Sequence, residues 1–442
     1  MLWTIKATKI LKKYWNINNL KDKQFEVINQ LLLGNDVIGL LPTGYGKSMC
    51  YIIPPLVTKK IIFIISPLLS LMEEQKNKLL NINIPCCALN SNNKNKNEDI
   101  QKIMNDNIKI VFMSPEYLMK TDAIELARTL IQYNKLGFFA IDESHCISSW
   151  GHDFRPEYRN ICKLREYFPT IPILAVTATA TPTVCNDIIK LLLLNNPIIV
   201  RASFDRPNLY IKMNEIPTIP MIKNKKIKEV NIPIENIIIK YANKYINDKI
   251  IIYINSREET ERVSTELNKI NNGWCEAYHA GLSKKLRDDI HNRFINGNIK
   301  IIISTIAFGM GIDQIVRCVL IFGYPSSIEE YYQQIGRGGR DGLYCETVLY
   351  FDKNKFYKLF FMIKNKNIQK KNNLNNIKKL IDIETCRRKY ILEYFNEKCS
   401  FIKCDNCDNC CKEIIVNQEK INKPDNLDIF DKYDKYSLLN TF

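Results

Sequence analysis

No stretch of this chain holds the roughly 18 consecutive apolar residues that a membrane-crossing helix requires, which argues against a helical membrane protein. The N-terminus, MLWTIKATKILKKYW, lacks the unbroken apolar block of a secretory signal. Its basic residues are lysines, whereas a mitochondrial presequence is rich in arginine and serine. Acidic residues are in short supply, with 47 Asp and Glu against 63 Lys and Arg, which leaves a net charge of +16. That excess favours a polyanionic partner, most commonly nucleic acid. A chain heavy in Ile, Asn and Lys, as AT-rich genomes encode, reaches the same charge by drift, and charge alone does not separate the two. What is present describes a globular protein of two or three domains, 442 residues long and 46% hydrophobic. Cysteine is plentiful at 15, five of them within Cys399–Cys411. Without a secretion signal, such clustering favours a metal over disulfides.

Apolar runs alternate with helical stretches at Asp36–Leu41, Ile61–Ile65, Ile108–Met113, Leu136–Ile141 and Ile171–Val176. Each trails a polar or glycine-rich cluster: PTGYGKS, SPLLSL, SPE, DESH and TATA. Fully buried parallel strands read this way, and the alternation predicts an α/β doubly wound sheet. Ligands bind beyond the carboxyl ends of such strands, so the clusters should converge on one rim. A second series runs through Lys249–Ile254, Cys275–Tyr278, Ile299–Ile303, Cys318–Phe322 and Glu346–Phe351. Two sheets in tandem imply a cleft, with the link expected near Ser203–Tyr210, at Pro207. From Asp352 the pattern turns helical and ends in the cysteines, after which the chain is polar. The expected division is 1–202, 203–351, 352–412 and a tail at 413–442.

Three segments carry phosphate chemistry. In T-G-x-G-K-S, Thr43 through Ser48, Gly44 and Gly46 let backbone N–H groups close around phosphate oxygens. Lys47 would reach the β and γ phosphates, and the Ser48 hydroxyl would ligate magnesium. Leu41 stands at the first glycine of the strict G-x-x-x-x-G-K-S pattern, so a chance glycine turn is the ordinary alternative. Asp142 and Glu143 close the run LGFFAI, the first to hold magnesium, the second to orient and deprotonate the attacking water. Acidic residues at a helix start look the same, but Lys47 precedes them in the order such folds use. In QQIGRGGRD, Arg337 and Arg340 stand three apart on an expected helical face. One can cross the cleft to the γ-phosphate; Arg340 is the expected finger and Arg337 the clamp or relay.

The segment Asp142–Tyr158, DESHCISSWGHDFRPEY, sets that carboxylate pair against an aromatic and basic loop. Trp150 and Phe154 can stack on bases, each worth roughly 1–3 kcal/mol. As apolar residues they could equally sit in a core, but the polar residues around them, including His152, suit a loop. Arg155 can pair with phosphate or with Asp153, and His145 suits a coupling role between the two chemistries. His279, in YHAGL, can line the cleft.

In this order, these residues resemble the RecQ family of superfamily 2 DNA helicases over about residues 15–411. CISSWGHDFRPEY is similar to that family's aromatic-rich loop almost letter for letter. Lys21 with Gln24 resembles its adenine-reading motif, PTGYGKSMCY its phosphate loop, and ISPLLSLMEEQ and SPE its strand-contacting motifs. AVTATA and SFDRPNLY are similar to its coupling and linker motifs, and STIAFGMGID and YYQQIGRGGRDG to those of its second domain. The chain departs from the pattern at Trp15-Asn16-Ile17, Lys21, Ser144 and Gln334. The resemblance implies an α/β fold of two tandem RecA-like doubly wound parallel-sheet domains followed by a small helical zinc-binding subdomain. It implies ATP and magnesium contacts at Gly311 and Asp313, and backbone contacts to nucleic acid at Ser66, Ser114, Arg257 and Thr305.

Cys386 begins CRRKYILEYF, read as an amphipathic helix, and Cys404, Cys407 and Cys410 repeat at CxxCxxC spacing. Four thiolates make a closed, structural zinc site, and the resemblance points the same way; an iron–sulfur cluster is the alternative. Cys404 is the expected second ligand, with Cys399 as substitute. The expected activity is ATP-driven 3′ to 5′ movement on single-stranded and forked DNA in repair, recombination or replication. The expected place is inside the cell, in the nucleus or wherever the genome is replicated. A DNA-stimulated annealing or remodelling ATPase and an RNA helicase are the alternatives. About thirty residues follow Cys411, too few for a winged-helix domain, so weak unwinding is expected.

Overall fold

Isoleucine dominates the runs that carry the fold, and β-branched side chains covered on both faces favour parallel strands. The computed structural model describes residues 2–91, 93–148, 155–223, 226–271, 273–305, 314–363 and 367–411. Its first sheet contains β1 (Val37–Leu40), β2 (Ile61–Ile65), β3 (Cys86–Leu89), β4 (Ile110–Met113), β5 (Leu136–Ile141), β6 (Ile173–Thr177) and β7 (Ile198–Arg201). The order is β3-β4-β2-β5-β6-β1-β7, and every neighbouring pair is parallel. β8 (Leu209–Glu215) belongs to a second sheet and is followed by a separate antiparallel hairpin of β9 (Thr218–Lys223) and β10 (Lys226–Asn231). β11 (Lys249–Ile254), β12 (Cys275–Tyr278), β13 (Ile301–Ser304), β14 (Val316–Phe322) and β15 (Cys345–Phe351) complete that sheet. Its order is β12-β13-β11-β14-β15-β8, again parallel throughout. This is the two-sheet α/β architecture that the alternation predicts.

Five strands escape a search for continuous apolar runs, the hairpin strands β9 and β10 among them. β3 is only four residues long, three of them cysteine or alanine, and β7 is an edge strand with Ile198 and Ile199 partly exposed. β8 alternates buried and half-buried positions because it too lies at an edge, so its period is two. The link between sheets is therefore shorter than expected: β8 already includes Leu209 and Tyr210.

The entry to β1 is pinned by one buried carboxylate. Asp36 accepts hydrogen bonds from the N–H groups of Ile173 (2.8 Å) and Asn195 (2.7 Å) and pairs with Arg165. It thereby ties the start of β1 to the start of β6 and to the approach to β7.

The C-terminal helices Lys353–Met362, Ile368–Asp382 and Arg387–Tyr394 continue the core of the second sheet. Leu374, Ile377, Leu380, Ile391, Leu392 and Phe395 share one apolar cluster with Ile251, Ile321 and Tyr331. The last helix is not amphipathic as expected, because Arg387 and Arg388 are buried beside Ile391 and Leu392. Both guanidinium groups find partners: Arg387 donates to Asp408 (2.6 Å) and to the Ile381 carbonyl (3.0 Å), and Arg388 to Asp205 (2.9 Å) and the Arg206 carbonyl (2.6 Å). Buried cations paired in this way dock the subdomain in one register, although Arg388 Nε itself has no partner among the described residues.

Removing the Asp36 carboxylate leaves the partly buried Arg165 charge without its counter-ion and two backbone N–H groups unmatched. Asp36→Ala is expected to destabilise the first sheet by about 3 kcal/mol or more. A thermal melt checks this, and an unchanged midpoint would refute the role.

Candidate nucleotide site, strand contacts and cysteine centre

β1 delivers the phosphate loop. The helix that follows it, Met49–Thr58, starts at Ser48, and Gly44 and Gly46 adopt φ of 82° and 88°, open to glycine but strained for other residues. Gln24 braces the loop: its side-chain N–H groups donate to the carbonyls of Tyr45 and Gly46, both at 3.0 Å, and its Oε1 accepts from the Lys21 N–H at 2.9 Å. The Lys21 ammonium lies 4.7 Å from the Tyr45 ring centre, and burial, with the nearby Arg206 charge, lowers its pKa.

β5 delivers the carboxylates beside β2, where Asp142 donates its N–H to the Ile65 carbonyl (2.9 Å). Asp142 is buried, and burial, followed by the charge of Glu143, raises its carboxyl pKa to about 6. Tyr51 and Gln75 each donate to its Oδ2 at 3.2 Å, and Tyr158 donates to its backbone carbonyl at 2.9 Å. A carboxylate so costly to ionise alone suits a site for a cation. Glu143 has φ of 47°, unusual for a residue with a side chain, which places its Oε1 4.0 Å from the Lys47 ammonium. His145 Nδ1 lies 2.8 Å from the Thr177 hydroxyl and 3.3 Å from Glu143 Oε2. Thr179 donates its N–H to Thr177 Oγ1 (3.2 Å) and accepts at its own hydroxyl from Gln333, on the helix Ile328–Ile335 beside the second sheet (3.3 Å). A polar path thus runs from Glu143 across the cleft.

The arginine segment reaches the same place. The helix Ile328–Ile335 stops before Arg337, so Arg337 and Arg340 lie in a turn and not on a helical face. The cause is the Gly-Arg-Gly-Gly sequence, poor in helix propensity, with Gly339 at φ of 54°. A Cβ at Gly44 would lie 3.6 Å from Arg340 Cγ, so Arg340 packs against the phosphate loop. Arg337 hydrogen-bonds the buried Tyr253 hydroxyl of β11, and the Arg340 charge also acts on that hydroxyl. Thr43 is buried under the same segment, where a Cβ at Gly336 would meet its own Cβ at 3.2 Å.

Trp150, His152, Phe154, Gly311 and Asp313 lie outside the described residues. The stems of the aromatic segment are fixed, since Arg155 donates its N–H to the Cys146 carbonyl (3.0 Å) and its side chain to the Pro67 carbonyl (3.1 Å). Ser66 and Ser114 are buried, and Ser114 caps a short helix by accepting from the Tyr117 N–H (3.2 Å). Arg257 is exposed after β11, and Thr305 follows β13 with its N–H on the Tyr278 carbonyl (3.3 Å). His279 is buried and bonded through Nε2 to Glu261 (2.8 Å). Sequence reasoning missed Tyr51 and Gln75, although both stand in quoted motifs; their contact with Asp142 emerges only when β1, β2 and β5 assemble.

The thiols of Cys386, Cys404, Cys407 and Cys410 all lie within 4.8 Å of one another. Zinc–sulfur arms of about 2.3 Å set tetrahedral sulfurs about 3.8 Å apart, and Cys404 and Cys410 stand 3.9 Å apart. The thiols share hydrogen bonds that lower the pKa of Cys407 while raising those of Cys404 and Cys386. Cys399 points elsewhere, to the Glu397 carbonyl (3.8 Å), and Cys411 to that of Asp405 (3.3 Å).

Residues 21–188 match the DEAD/DEAH box helicase family, 231–342 the helicase conserved C-terminal domain and 353–411 the RecQ zinc-binding domain. Fold and site thus define a helicase core: two parallel sheets with a phosphate loop on one and arginines on the other. The chain is 41% identical over 433 residues to a protein of Acanthamoeba polyphaga mimivirus whose provisional name is ATP-dependent RNA helicase R290, covering 95% of this chain and 74% of that one. It is 37% identical over 413 residues to the ATP-dependent DNA helicase RecQ of Pasteurella multocida, covering 91% and 62%. With the ATP-dependent helicase SGS1 of Saccharomyces cerevisiae it shares 34% over 436 residues, covering 95% and 29%. The chain therefore spans less than two thirds of these last two relatives. Among solved structures, the DUF1998 helicase MrfA bound to DNA has the same fold, with a TM-score of 0.64 at 18% identity over 90% of this chain and 59% of that one. The chain belongs to the RecQ family.

Metal analysis of the purified protein is expected to return one zinc per chain. Cys404→Ser should lose it and Cys399→Ser should keep it. The reverse result would move the ligand to Cys399.

Proposed function

We propose that the chain is an ATP- and magnesium-dependent motor that moves 3′ to 5′ along single-stranded DNA and opens forked duplex. It serves DNA repair, recombination or replication wherever the genome is copied. The observation that carries the reading is the packing of Arg340 against Gly44, with Lys47 and Glu143 4.0 Å apart beside it. Ser48 and Asp142 would hold magnesium, which would supply positive charge to the phosphates. Lys47 draws the γ-phosphate toward Glu143, which orients the attacking water and takes its proton. Arg340 meets the charge that develops on the transferred group, and Arg337 relays its position to Tyr253. Gln24 and Lys21 face the base. Zinc on the four thiolates is structural.

On the strand side, Trp150 and Phe154 stack bases, His152 and Arg155 flank them, and Ser66, Ser114, Arg257 and Thr305 follow the phosphate backbone, while Gly311 and Asp313 belong to the nucleotide side. His145 couples the two sides: it touches Glu143 and Thr177, and Thr179 touches Gln333 beside the second sheet. RNA is the second candidate strand, favoured by the name of the mimivirus relative.

ATPase rates with single-stranded DNA and with RNA of equal length discriminate the two. DNA is expected to stimulate more strongly, and equal or greater stimulation by RNA would overturn the DNA assignment. Arg340→Ala is expected to lower kcat roughly 10³-fold, and Lys47→Ala to abolish strand displacement. Trp150→Ala should keep basal hydrolysis and lose DNA stimulation; stimulation that survives intact would remove the loop from the coupling path.

A further inference from the structure

Arg206 lies in the link between the sheets, outside both helicase ranges matched above. Its guanidinium spans the cleft. Nη1 donates to the Thr43 carbonyl in the phosphate loop (3.0 Å), and Nη2 donates to the carbonyls of Gly338 (3.0 Å) and Gly339 (2.8 Å), directly before Arg340. Nε reaches Asn208 (3.3 Å), whose own amide also grips Gly339 and Leu343, both at 2.8 Å. No carboxylate forms an ion pair with Arg206 among the described residues, so neutral carbonyls hold the cation. Burial accordingly lowers its pKa. The backbone of Arg206 is fixed in turn, because Arg388 donates to its carbonyl (2.6 Å) and to Asp205 (2.9 Å).

We propose that Arg206 is the positioning residue of the arginine finger: it fastens the phosphate-loop backbone to the turn that carries Arg340. The physical reason is the planar fork of arginine, which holds several acceptors at fixed angles, as a lysine point charge does not. Gly338 and Gly339 add little stiffness of their own, so the direction of Arg340 depends on what holds their carbonyls. A finger displaced by an ångström loses most of its effect while nucleotide binding persists.

This inference rests on the ATPase reading above, and the tests separate them. Arg206→Gln is expected to lower DNA-stimulated kcat roughly 10- to 100-fold while the KM for ATP stays within about threefold. Arg206→Lys should share that loss, and it carries the test if the glutamine variant does not fold. In an Arg340→Ala background, Arg206→Gln should cost nothing further. A kcat within about twofold of wild type overturns the proposal. So do losses that multiply in the double variant, and so does a loss that only follows a fall in melting temperature. If Arg340→Ala alone leaves kcat unchanged, the ATPase reading itself fails.

Discussion

A strand covered on both faces can present polar chemistry only where it ends, and this constraint organises the molecule. β2 and β5 are buried nearly throughout. Their carboxyl ends therefore become the first places where Ser66, Asp142 and Glu143 can stand. The same geometry imposes a cost. Asp142 sits where its ionised form is disfavoured by burial and by its neighbour. The Lys47 charge and the hydrogen bonds from Gln75 and Tyr51 offset part of that cost. The strained backbone of Glu143 belongs to the same arrangement, since it turns the second carboxylate out of the sheet toward Lys47.

Much of this was legible in the sequence because parallel strands and phosphate loops leave contiguous signatures. The isoleucine runs marked most of the strands, PTGYGKS the loop, and DESH the carboxylates. CxxCxxC spacing with Cys386 marked the four thiols that converge. Edge strands were not legible: β7 and β8 carry partly exposed or alternating residues. Nor was the end of the helix before Arg337, where the distance between two arginines suggested a helical face and glycine decided otherwise. Arg387 and Arg388 misled for a different reason. A basic pair reads as solvated, and only the tertiary structure supplies Asp408, Asp205 and the carbonyls that make burial tolerable.

Those buried arginines also explain why the cysteine subdomain is continuous with the second domain. It shares one apolar cluster with the second sheet. Around that cluster run polar fastenings: Arg201 to the Phe395 carbonyl (2.8 Å), the Phe204 N–H to Glu397 (2.7 Å) and Tyr394 to Glu329 (2.8 Å). Each joins the subdomain to the first sheet's last strand, to the link or to the helix that precedes the arginine turn. Cys386, Cys404, Cys407 and Cys410 would hold zinc on either side of these fastenings and so fix the segment between them.

Gln24 carries a further consequence. Both donors of its amide are spent on the carbonyls of Tyr45 and Gly46, and one lone pair is taken by Lys21. A purine that recruited those donors would withdraw them from the loop that cups the phosphates. Base and phosphates therefore make rival claims on the same side chain. Choice among nucleotides would then register in turnover as much as in affinity, because the wrong base would leave the loop held in its resting shape.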